Sequence, residues 1–187
     1  MSESPPAQHE LWSMCPFKHP EVSTLLEREH LHFTFRIEGD DKACAREYDT
    51  HIMGRFRCEN PECDNQGWSS KPIAITIRMY PDDEYNAGVY HQHCIACDTL
   101  STPTLDDSYA GRVAYRLKKW RGIKLKRRSH PKTTPDKPHE GELCKGCKAG
   151  HCGSNDPYSL DEGGILPLPL FPSHLSETSY PILPLQG

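Results

Sequence analysis

At 187 residues and 21.3 kDa the chain has room for one compact domain of ordinary size plus tails, which excludes two large domains. Apolar residues make up 35%, charged residues 26%, and the formal net charge is −4, so the apolar core is small for the length and needs help from another source of cohesion. Nine cysteines are the candidate source.

The opening Met1-Ser-Glu-Ser-Pro-Pro6 is acidic and polar with no apolar stretch behind it, no run of about eighteen apolar residues occurs, and there is no Asn-X-Ser/Thr acceptor. The expected compartment is the cytosol or nucleus, where thiols stay reduced and clustered Cys reads first as metal ligation. Residues 1–19, rich in Pro, Ser and His, are expected to be flexible. From Pro20 a helix of about ten residues is predicted, because Pro suits the first helical position and Val22, Leu25, Leu26 and Glu29 follow at helical spacing. Phe33-Thr-Phe-Arg-Ile-Glu38 alternates with period two and predicts a strand with Phe33, Phe35 and Ile37 inward.

Gly54-Arg-Phe-Arg-Cys58 predicts a second short strand. Ile73-Ala-Ile-Thr-Ile-Arg-Met-Tyr80 is the clearest strand, with Ile73, Ile75, Ile77 and Met79 on one face. Pro81-Asp-Asp83 and Asn86-Ala-Gly88 frame a connection, after which Val89-Tyr-His-Gln-His93 returns as the antiparallel partner. A helix follows, capped by Asp106, Asp107 or Ser108, with Tyr109, Val113, Leu117 and Trp120 on one side and Gly122 as its stop. The segment from Arg112 to Lys137 holds eleven Lys/Arg against the single acid Asp136, a local charge of +10 that leaves −14 for the rest. Beyond Cys152, residues 153–187 carry six Pro and few charges and read as a disordered tail with polyproline character.

Seven of the nine Cys fall in three clusters: Cys58 with Cys63, Cys94 with Cys97, and Cys144 with Cys147 and Cys152. Zinc takes four S or N ligands in a tetrahedron, and a spacer of two to four residues lets two thiolates on one turn reach the same ion. Seven thiolates leave two such sites one ligand short, and His139 supplies the eighth. The favoured pairing places Cys58, Cys63, Cys94 and Cys97 around one ion and His139, Cys144, Cys147 and Cys152 around a second, because this closes shorter loops; an interleaved arrangement stays open. His51, His91 and His93 are rival ligands. Cys15 and Cys44 have no near partner in sequence and read as idle thiols, with a third site through Cys44 left open.

Two filled tetrahedra leave no open position for a catalytic water. His139-Glu140 stands too close to Cys144 for the deaminase pattern, and neither a nucleophile elbow nor a Gly-rich phosphate loop is present. No enzyme is expected. A redox dithiol at Cys94/Cys97 would call for a βαβ setting that is not apparent.

Gly54-Arg-Phe-Arg-Cys58, Trp68-Ser-Ser70, the strand Ile73 to Tyr80, Gln92-His-Cys94 with Cys97, and His139-Glu-Gly-Glu-Leu-Cys144-Lys-Gly-Cys147-Lys-Ala-Gly-His-Cys152 together resemble the three-CxxC-type zinc-binding domain. That domain occurs in receptor-transporting proteins of vertebrates and in small fungal proteins; Tyr48-Asp-Thr and Tyr115-Arg-Leu-Lys-Lys-Trp120 make the soluble fungal form the nearer likeness. The resemblance runs from about Phe33 to Cys152 and implies zinc ligation by Cys58, Cys63, Cys94, Cys97, Cys144 and Cys147, joined by His139 and Cys152. Two features depart from it: four residues separate the first pair, and the end of the chain is proline-rich where receptor-transporting proteins carry a membrane span.

The expected product is an α+β protein: a small antiparallel β domain over residues 20–152, with zinc-knuckle turns, one basic amphipathic helix and flexible termini. It would hold two Zn2+ ions and serve a protein partner as an adaptor or chaperone-like module. Nucleic acid is the alternative partner. Trp120 and Tyr115 would stack on bases while Lys118, Lys119, Arg121, Lys124, Lys126, Arg127 and Arg128 neutralise phosphates. Against it, those cations also offset zinc thiolates, since a four-thiolate site carries about −2 and a three-thiolate site about −1.

Overall fold

A computed structural model describes residues 11–38, 41–125 and 139–152. The elements in chain order are β1 (Trp12–Met14), α1 (His19–Glu27), β2 (Thr34–Phe35), β3 (Arg46–Phe56), β4 (Trp68–Met79), β5 (Glu84–Tyr90), β6 (Gln92–His93), β7 (Leu100–Ser101), β8 (Pro103–Leu105), α2 (Ser108–Trp120) and α3 (Lys145–Lys148). The main sheet runs β1-β5-β4-β3-β8, with β2 also on β5, and β6 pairs β7 in a separate ribbon. Every pairing is antiparallel except β2 with β5.

The strand core forms as its alternation dictates. Ile73, Ile75, Ile77 and Met79 are all buried on one face of β4, packed with Val22 and Leu26 of α1 and with Tyr109, Val113 and Leu117 of α2. Pro72 cannot donate to a ladder, and it falls where the β3–β4 register shifts between Ile52/Ile73 and Gly54/Ser70; Lys71 and Pro72 together oppose Met53 there. β4 turns into β5 through Asp82 (φ 60°) and Asp83 (φ 58°), with Glu84 N–H donating to Pro81 O. Two successive positive φ values match the right-handed twist of a hairpin, and Asp tolerates them better than most residues.

Several expectations are corrected. Residues 12–14, expected to be loose, add β1 to the sheet edge opposite Gly88–Tyr90. β2 is only two residues long and Ile37 is 74% exposed, because the strand pairs with β5 for Thr34 and Phe35 alone. β3 extends back to Arg46, through polar residues whose alternation hid the strand. Asn86-Ala-Gly88 lies inside β5, where Gly88 leaves room for the Trp12 ring 2.9 Å from a would-be Cβ. The second helix behaves as predicted: Tyr109, Val113 and Leu117 are buried and Gly122 ends it at φ +75°. Lys126, Arg127, Arg128 and the tail 153–187 lie outside the described residues.

β4 is buried on both faces. Ala74 and Thr76 point away from the helices yet are at most 1% exposed. Part of the cover of Ala74 is Gly146 of the short α3 turn. The amphipathic pattern of β4 foretold one buried face only.

Candidate metal centres

The first centre is assembled at one end of the β3–β4–β5 sheet. Cys58 lies two residues past the end of β3, and the turn to Cys63 is closed by Cys63 N–H donating to Asn60 O at 3.2 Å. Cys94 leaves β6, and Cys94-Ile-Ala-Cys97 forms a tight turn in which Asp98 N–H donates to Cys94 O and Cys94 N–H donates to Thr99 O. Asp98 takes φ 57° to close it. The ribbon β6–β7 thus lifts one thiol pair against the other. Cys58 Sγ lies 3.4 Å from Cys97 Sγ, and Cys63 Sγ 3.9 Å from Cys94 Sγ.

The second centre is built by residues 139–152 alone. Cys144 precedes α3, Cys147 lies within it, and the chain is folded back by Gly150 N–H to Cys147 O and His151 N–H to Gly146 O. Cys144 Sγ is 3.6 Å from Cys152 Sγ, and His139 Nε2 is 3.1 Å from Cys147 Sγ. Within each set of four, the donor atoms all lie within 4.8 Å of one another. The eight residues come together as two local sets, not as interleaved ones.

Those spacings fit zinc. Four ligands at a Zn–S distance of about 2.3 Å place the sulfurs of a regular tetrahedron about 3.8 Å apart, close to the observed separations. Within each set the thiols differ in proton affinity. A hydrogen bond from Thr99, with help from its backbone, pulls the Cys97 thiol down to about 6, and the neighbouring Cys152 thiol, with His139 beside it, pulls Cys144 down to about 4. Cys152 is pushed far up in return by Cys144, and the proximity of Cys144 also raises His139. Thiols packed this closely cannot all ionise without a shared cation, and a divalent ion supplies that charge.

The rival imidazoles are engaged elsewhere. His91 Nε2 meets Ser13 Oγ at 3.1 Å and His93 Nδ1 meets Asp98 O at 2.7 Å. His51 belongs to neither set. Cys15 is buried, and desolvation pushes its thiol up to about 11; Cys44 donates to Arg46 O at 3.1 Å.

Sequence reasoning missed the residues that hold the ligands. Asn65 Nδ2 donates to Cys94 Sγ at 3.2 Å while its Oδ1 accepts from Gly67 N–H, an Asx turn that aims the amide at the thiolate. His151 Nδ1 meets Asp49 Oδ2 at 2.8 Å and its ring stacks on Tyr90 at 5.0 Å, tying the second centre to the sheet. Asn65-Gln-Gly67 was the available signal for the first; nothing local marks the second, which spans 102 positions.

On the basic helix, Lys118 Nζ lies 3.6 Å from Glu29 and Arg121 pairs with Asp83. Lys119 and Lys124 are exposed. No helix among the described residues is long and apolar enough to cross a membrane.

Residues 51–150, more than half of the chain, match the family Zn_ribbon_3CxxC, described as a zinc-binding domain; Cys152 stands just past the match. No curated protein and no solved structure matches significantly. With the donor geometry of two tetrahedral zinc sites and this family match, the chain belongs to the 3CxxC-type zinc-ribbon family of zinc-binding domains.

Proposed function

We propose that this chain is a non-catalytic binding module in which Cys58, Cys63, Cys94 and Cys97 ligate one zinc ion and His139, Cys144, Cys147 and Cys152 a second. Its rigid surface serves a protein partner in an adaptor or chaperone-like role. The observation that carries the reading is the pair of four-donor sets: each offers all the ligands a tetrahedral zinc takes, so neither ion keeps a position for an activated water. Ile95, 72% exposed on the turn between Cys94 and Cys97, and Met53, 47% exposed on β3, give a protein partner apolar footholds. The proposed domain covers residues 20–152 with β1 added. The kinship with receptor-transporting proteins, nearest in their soluble fungal form, and a cytoplasmic or nuclear location belong to the same reading.

Nucleic-acid binding is the weaker alternative, because Lys118 and Arg121 are already paired with acids of the same chain. A thiol redox role is weaker still, since it would require ligand pairs to leave their ion.

Elemental analysis of the purified chain is expected to give two zinc ions per molecule. Pull-down from native extract, with and without nuclease and with Ile95→Glu in parallel, separates the partners. Capture that survives nuclease and is lost in Ile95→Glu supports the protein reading. Capture lost to nuclease, with salt-sensitive RNA or DNA binding, overturns it in favour of nucleic acid.

A further inference from the structure

The two metal centres lie in different parts of the sequence, yet one short segment serves both. His91 O accepts from Lys145 N–H at 3.1 Å, and Gln92 forms an antiparallel bridge with Cys144, a ligand of the second centre. Two residues further on, the same strand delivers Cys94 to the first centre. In between, β6 is held to β7 by Gln92 opposite Ser101 and His93 opposite Leu100, the ribbon that sets the Cys94–Cys97 turn.

The Gln92 side chain, 7% exposed, fixes this segment to the sheet. Its Oε1 accepts from Trp68 Nε1 at 3.1 Å and its Nε2 donates to Ser70 Oγ at 3.1 Å. Trp68 in turn stacks on Phe56 at 5.1 Å and 12°, and Phe56 lies two positions before Cys58. Both halves of the first centre, Cys58 through Phe56 and Trp68, and Cys94 through β6, therefore meet at Gln92. The backbone of that residue is paired to the second centre.

We infer that the two zinc ions load cooperatively, with Gln92 as the positioning residue that couples them. This rests on the ligand assignment above. Without an ion, nothing but weak contacts between sulfurs 3.4 to 3.9 Å apart joins the donors of each set, so each ligand turn loses its cross-link and opens. Opening at Cys144 releases the bridge to Gln92 and frees β6, so the first centre must reorder Cys94 before it can bind. An ion already at the second centre has met that ordering cost. Linkage makes the effect reciprocal: the first ion raises affinity at the second centre by the same factor.

Native mass spectrometry during graded zinc addition to metal-stripped full-length chain counts the species with no, one and two ions. Coupling in the usual range, about 5- to 150-fold, holds the one-ion species at the midpoint below the level that the same two sites give when uncoupled. In Gln92→Leu, which keeps all eight ligands and loses both side-chain hydrogen bonds, two ions still bind but the one-ion species rises. Competition with a chromophoric chelator adds a second reading. Cys147→Ser is expected to weaken zinc at the first centre at least about 5-fold although it touches none of its ligands, and Cys97→Ser to weaken the second by the same factor. Should either cysteine variant fail to fold, the wild-type and Gln92→Leu loading curves decide alone. A wild-type chain that takes up fewer than two ions overturns the ligand assignment and the coupling with it. Two ions, with a one-ion population that Gln92→Leu leaves unchanged, overturn the coupling only.

Discussion

Gly146 stands against Ala74 so closely that a Cβ added to it would lie 2.6 Å from the Ala74 Cβ, 3.0 Å from Cys152 Sγ and 3.4 Å from the Tyr90 Cβ. The glycine between two ligand cysteines is the point at which the second metal turn rests on β4. None of these three neighbours is the far end of a flexible side chain, so the contact cannot be relieved cheaply.

Gly146→Ala is therefore expected to cost about 1–3 kcal/mol, the range for overpacking, and to weaken zinc at the second centre. Gly111→Ala is the control: nothing lies within 4 Å of its added Cβ in the first turn of α2, and a helical Gly replaced by Ala gains up to about 0.5–1 kcal/mol. Thermal unfolding of the zinc-loaded proteins should move in opposite directions for the two variants. Equal destabilisation would remove the argument from contact.

Asn65→Ala removes both the hydrogen bond to Cys94 Sγ and the turn that holds it. Loss of such an outer partner typically lowers metal affinity about 10- to 100-fold. Chelator competition is expected to show that loss at the first centre with two ions still bound at saturation.

Stripping zinc with a strong chelator is expected to unfold both ligand turns and to expose Tyr90 and Ala74, giving a large, zinc-reversible change in circular dichroism. Acid should act likewise, because protons compete for thiolates and for His139, so zinc retention falls as pH drops. A chain that keeps its spectrum after chelation would count against a structural role for the metal.

His19 provides a pH effect remote from both centres. Its ring packs on Phe35 and Tyr85, with Nδ1 3.0 Å from Tyr85 OH, and desolvation lowers its pKa below the ordinary 6.5. The unfolded chain then binds the proton more readily, so this contribution is full above about 6.5 and is lost as pH falls through the lower folded value. His19→Leu should flatten the acid side of the stability profile, read as the wild-type-minus-variant difference in unfolding midpoint between pH 7 and 5.

Much of this was legible in sequence where one residue type carries one physical meaning. Cys spacing named both donor sets, since two thiolates on a short turn reach little else, and the strict alternation from Ile73 to Met79 named a strand. The buried face of α2 followed from helical spacing of Tyr109, Val113 and Leu117. What escaped depends on distant neighbours. Trp12–Met14 forms a strand only because β5 offers an edge, and Ile37 is exposed because the pairing of β2 with β5 stops at Phe35 opposite Tyr85. Thr76 and Arg78 are buried by partners on other elements, Asp49 and Glu47, which no local pattern announces. Gln92 stood in the sequence as a strand residue within the Gln92-His-Cys94 motif, and its two side-chain partners, which give it its place, lie more than twenty positions away.

The late position of the second ligand turn has a consequence for how the protein is made. On the ribosome, Cys58 through Cys97 emerge before His139 and Cys152, so β4 and its partner strands leave the ribosome ahead of the piece that seats on Ala74. A nascent chain halted there, or one finished in a zinc-starved cell, would present that side of β4 wet and uncovered.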